Sequence, residues 1–75
     1  MTKVPSLGYK KVMAALGRAG FTEVRQKGSH IRIEKETSEG TIKVTIPAHK
    51  PIKRSTLSHI LKDAGLSLSE FIDLL

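Results

Sequence analysis

Two short runs of strict alternation, joined by one polar connection, limit what this chain can fold into. His30 to Lys35 reads His-Ile-Arg-Ile-Glu-Lys, and Thr41 to Ile46 reads Thr-Ile-Lys-Val-Thr-Ile. A period of two sends successive side chains to opposite faces of a strand. Ile31 and Ile33 therefore belong to a buried face together with Ile42, Val44 and Ile46. His30, Arg32 and Glu34, with Thr41, Lys43 and Thr45, point the other way. Thr37-Ser38-Glu39-Gly40 has the length and the glycine of a hairpin loop, so the two runs are predicted to pair antiparallel.

The flanking segments supply what must cover the isoleucine face. Tyr9, Val12, Met13, Leu16 and Ala19 recur at helical spacing and predict a helix over 9–19. Gly8 serves as its N-cap and Gly20 as a left-handed C-terminal cap. Pro5 precludes a helix in the leader over residues 1–8. Phe21 to Gln26 reads as a further strand before the Lys27-Gly28-Ser29 turn. After a loop bounded by Pro47 and Pro51, Leu57, Ile60, Leu61 and Ala64 form the apolar stripe of a second helix, which starts near Arg54 or Ser55 and ends at Gly65. Ser67-Leu68-Ser69-Glu70 fits a capping box and opens a short amphipathic helix through Leu68, Phe71, Ile72 and Leu75. The expected class is α+β, in the order helix, three antiparallel strands, helix, short helix. It forms one domain over 1–75, with the two long helices on one face of the sheet and the other face open.

Seventy-five residues leave little to spare, since a domain this small buries only about 60% of the surface its unfolded chain exposes. Hydrophobic residues make up 39% of the chain, and the aromatics are only Tyr9, Phe21 and Phe71, so the core is expected to be aliphatic. The chain has no cysteine. That excludes a disulfide scaffold and a thiol nucleophile, and suits a cytoplasmic setting. No apolar run approaches the ~20 residues needed to span a bilayer, and residues 1–8 lack the apolar stretch of a secretory signal. Thirteen Lys and Arg against seven Asp and Glu give a formal charge of +6. On so small a body this points to polyanionic partners, nucleic acid first.

Of the three histidines, His49 lies in the loop and His59 on the polar side of the second helix. The spacing suits no zinc site, and neither a metal nor another cofactor is expected. His30 begins a strand on the open face, beside Arg32 and Lys43. An imidazole ordinarily gives and takes protons near neutral pH. RNA carries its own nucleophile, the 2′-hydroxyl. A metal-free ribonuclease therefore needs only proton transfer and positive charge where the phosphate gains negative charge. Arg25, Lys27, Arg32 and Lys43 could supply the charge, and the backbone N–H groups of Gly28 and Ser29 could assist. Read from pattern alone, His30 is equally a surface histidine at a strand start, and Gly28-Ser29 equally a plain turn.

Several stretches resemble the HicA (YcfA-like) toxin family. They are Gly20-Phe21, Arg25-Gln26-Lys27-Gly28-Ser29-His30, Ile46-Pro47-Ala48-His49-Lys50, Ile52-Lys53, Thr56-Leu57 and Ile60-Leu61-Lys62-Asp63-Ala64-Gly65-Leu66. The resemblance implies an mRNA interferase of a type II toxin–antitoxin module, with a fold like a double-stranded-RNA-binding domain and a HicB-type antitoxin covering the site. It places the catalytic role on the histidine of Gly-Ser-His, here His30. The chain departs from the family's pattern in three places. Ile31 stands where many members have a second histidine, Arg54-Ser55 where Pro-Gly is common, and Gly8 where serine is common. Ile31 points inward by alternation, so the main acid–base group is retained while a two-histidine mechanism is weakened. The second proton-transfer group is left to His49 or a water. Two other readings compete: a non-catalytic RNA-binding module of the double-stranded-RNA-binding type, and a basic module that docks an acidic protein.

Overall fold

The structure, a computed structural model, describes residues 6–75. Most of the leader, with Pro5, lies outside them. The elements are α1 (Tyr9–Arg18), β1 (Thr22–Lys27), β2 (His30–Thr37), β3 (Gly40–Pro47), α2 (Arg54–Ala64) and α3 (Leu68–Asp73). This is the expected α-β-β-β-α order with a short extra helix. The strands form one antiparallel sheet in the order β1-β2-β3, and the α+β class is as the alternation indicated.

The two long helices each end at a glycine. At Gly20 the backbone turns to φ 103°. There the Gly20 N–H donates to the Gly17 carbonyl and the Phe21 N–H to the Leu16 carbonyl, both at 3.0 Å. These two bonds close a Schellman motif, which satisfies carbonyls the helix end would otherwise orphan. The motif also turns Phe21 back into the core, where it is 5% exposed. Gly65 ends α2 at φ 73° in the same way, with the Leu66 N–H donating to the Leu61 carbonyl. Ser67 caps α3 by accepting from the Glu70 N–H, and the Glu70 carboxylate accepts from the Ser67 N–H in return.

The core joins Val12, Ala15 and Leu16 of α1, Ile31 and Ile33 of β2, Val44 and Ile46 of β3, and Leu57, Ile60, Leu61 and Ala64 of α2. Ile42, toward the far end of β3, is only half-buried. The expectation of a purely aliphatic core is corrected by two residues. Phe71 of α3 is fully buried and is the largest such side chain among the described residues, and Phe21 is buried in the same cluster. Aromatic scarcity in the sequence did not mean aromatic absence from the core, because two of the three rings are spent there.

β1 contributes nothing to this core. All six of its residues are exposed, Val24 by 51%. It is held by its ladder with β2, and the buried Phe21 lies one residue before it. A bulge at Val24 shifts the register between Glu23 and Arg25. As a result Thr22, and not Glu23, lies opposite Glu34 on the open face. A regular ladder would have set two carboxylates against each other there.

Candidate functional site

The site is assembled by the register of three strands. Lys27 and His30 close the β1–β2 hairpin as a directly opposed pair, so its loop is only Gly28-Ser29. Gly28 has φ 60° and Ser29 does not have a positive φ, the sign pattern of a type II′ turn, which requires glycine first. A Cβ on Gly28 would meet nothing within 4 Å, so backbone conformation, not crowding, calls for glycine there. The loop is fixed from two sides. The Gln26 Nε2 donates to the Gly28 carbonyl at 3.2 Å, and the Ala48 N–H to the Ser29 carbonyl at 2.7 Å. The second bond ties the hairpin to the start of the loop after β3, whose Tyr9 and Ile52 contacts in turn anchor α1.

With the hairpin fixed, two rows cross the open face. Arg25, Arg32 and Thr45 oppose one another in one row, and Lys27, His30 and Pro47 in the next. The rows are two residues apart along each strand, roughly 7 Å. Arg25, Lys27, His30, Arg32 and Thr45 together line an open concavity of about 160 Å³. All five are exposed. Its wall thus holds three permanent cations, one imidazole and one hydroxyl, with no carboxylate. Like charges directly opposed on a sheet are destabilising, so the Arg25–Arg32 pair is an arrangement that folding alone does not favour.

Four of the seven side chains and turn residues expected at a site meet here: His30, Arg25, Lys27 and Arg32. Gly28 and Ser29 form the turn beside the concavity and do not line it. Lys43 is on the same face but one row further, opposite Glu34. Thr45 was placed on the open face by alternation but not counted in the site; its position opposite Arg32 became visible only with the register. His49, in the loop, and His59, on the outer side of α2, are exposed and line no part of the concavity. Among the described residues, no three His, Asp or Glu side chains form a group that could hold a metal ion, and no helix is long and apolar enough to cross a membrane.

A larger groove of about 310 Å³ lies on α1, lined by Leu7, Lys11, Ala14, Arg18 and Leu75. It has two cations over a mostly apolar wall and no acid–base group. The family model described as the HicA toxin of bacterial toxin–antitoxin matches residues 9–66, which run from the first residue of α1 past the end of α2 and include every residue of the concavity. The chain belongs to the HicA toxin family. It is therefore a toxin of a toxin–antitoxin system, and an antitoxin is its counterpart. A comparison with curated proteins finds no match. The helix α3, with the buried Phe71, lies beyond the matched span.

Proposed function

We propose that this HicA-family toxin is an endoribonuclease that cleaves messenger RNA with His30 as its acid–base group, and that a HicB-type antitoxin silences it by covering the open sheet face. One observation carries the reading: the His30 imidazole stands in a concavity whose other walls are Arg25, Lys27, Arg32 and Thr45. Cations alone would serve for binding. An exposed imidazole among them adds proton transfer at the place where a phosphate would be held.

The chemistry follows from what each group can do. The guanidinium groups of Arg25 and Arg32 present N–H donors that match phosphate oxygens in pairs. Lys27 adds a point charge from the neighbouring row. With the phosphodiester so held, neutral His30 takes the proton of the adjacent 2′-hydroxyl. The 2′-oxygen attacks phosphorus, the bond from phosphorus to the 5′-oxygen breaks, and a water protonates the departing oxygen. The products are a 2′,3′-cyclic phosphate and a 5′-hydroxyl. The cations stabilise the charge that builds on the non-bridging oxygens during attack, where electrostatic help is largest. Acid–base assistance of this kind contributes about 10²–10⁴ in rate, so one histidine makes for a slow nuclease.

Expression in a bacterial host tests the reading. Wild-type protein is expected to arrest growth with loss of intact messages. His30→Ala is expected to permit growth at equal protein level, and co-expression of a HicB-type antitoxin is expected to restore growth to the wild type. Growth arrest by the His30→Ala variant as severe as that by the wild type would instead favour a toxin that acts by binding alone.

A further inference from the structure

Three of the five side chains around the concavity can donate to a ribose 2′-hydroxyl but cannot accept its proton. Arg25, Lys27 and Arg32 are hydrogen-bond donors with no acceptor. They grip a phosphate in the same way whether the strand is RNA or DNA. Telling the two apart requires a group that answers the ribose 2′-hydroxyl, which is both donor and acceptor. His30 is one such group, but in the proposed reaction the ring nitrogen facing the scissile linkage is engaged with the reacting proton. Thr45 is the other. It lies directly opposite Arg32 on β3, it is exposed, and its hydroxyl offers one donor and two acceptor lone pairs. As a β-branched residue it has a stiff χ1, so the hydroxyl is presented at little entropic cost. Strand geometry does not demand a hydroxyl here, since valine would fit β3 as well.

We infer that Thr45 is the specificity-determining residue of the concavity, and that its hydroxyl hydrogen-bonds a ribose 2′-hydroxyl of the bound strand while Arg32 and Arg25 hold a phosphate next to it. The inference rests on the ribonuclease reading and adds to it the means by which the face selects RNA over DNA. Thr45 is then a binding group for sugar, and the proton stays with His30.

The test measures the affinity ratio of two single strands of one sequence, an RNA and its deoxyuridine-containing DNA counterpart. The His30→Ala protein is used so that neither strand is consumed. Adding Thr45→Val is expected to weaken RNA binding about 3- to 10-fold, the range for one lost neutral hydrogen bond, and to leave DNA binding unchanged. Adding Thr45→Ser, which keeps the hydroxyl, is expected to preserve the ratio to within about twofold. An unchanged ratio in Thr45→Val, or an equal loss for both strands, overturns the inference. Failure of the ribonuclease reading shows separately, as absence of RNA cleavage by the protein with His30 and Thr45 both intact.

Discussion

Arg25 and Arg32 face each other across β1 and β2 without a carboxylate in the concavity they share. Opposed like charges weaken a strand pair, while the same two guanidinium groups are what a phosphate would neutralise. Removing one should therefore act in opposite directions on folding and on binding. Arg25→Ala is expected to leave thermal stability unchanged or slightly raised, within about 0.5 kcal/mol, and to weaken RNA binding. In a salt titration, the slope of log affinity against log salt should fall by about 0.7 for a single strand, the loss of one phosphate contact. A variant that melts well below wild type, or an unchanged salt slope, would contradict this.

At the scale of elements, the β1–β2 hairpin places His30, and Gly28 fixes the hairpin. Gly28→Ala puts a Cβ on a residue at φ 60°, which costs roughly 1–2 kcal/mol. Denaturant unfolding is expected to show that loss, with RNA cleavage falling alongside it because Lys27 and His30 no longer close the turn. The α3 cap makes a different forecast. The Ser67 backbone N–H, followed by the Ser67 hydroxyl, holds the Glu70 carboxyl below its ordinary pKa of 4.5. A depressed folded-state pKa gives stability that is present above pH 4.5 and is lost as the pH falls through the folded value. Glu70→Gln keeps the capping geometry. It should therefore be less stable than wild type near neutral pH, with the difference vanishing in acid; a constant difference across an acid series of melts would contradict this. Such elements differ in how far they could be read from sequence. β2 and β3 were legible because their isoleucines and valine alternate with polar residues over a full strand. β1 was legible only as a segment: its residues Thr-Glu-Val-Arg-Gln-Lys bury nothing, and the bulge at Val24 leaves no periodic trace. For the same reason the meeting of Arg25 with Arg32, and of Thr45 with both, could not be derived. Alternation assigns a face, but register assigns neighbours, and the register here is set by the tight Gly28-Ser29 turn.

For the molecule as a whole, the margin is thin because one sheet face is left open. Among the described residues, the core rests on fourteen buried side chains, of which Phe71 is the largest fully enclosed. Truncating a buried phenylalanine to alanine costs about 3–5 kcal/mol, and a domain of this size rarely has more than that in total. Phe71→Ala is accordingly expected to be largely unfolded at 37 °C by circular dichroism, although α3 lies outside the matched family span. A cooperative melt within a few degrees of wild type would show that α3 is dispensable. The open face that thins the margin is also where the cations and His30 gather, so stability has been given up on the surface where chemistry is proposed. The direct test of that chemistry is single-turnover cleavage of a defined RNA by the purified protein in excess chelator, beside His30→Ala shown to be folded and to bind the same RNA. The account predicts cleavage by the first, to ends with a 2′,3′-cyclic phosphate, and a rate at least about 10²-fold lower for the second. Equal rates for the two proteins would contradict it.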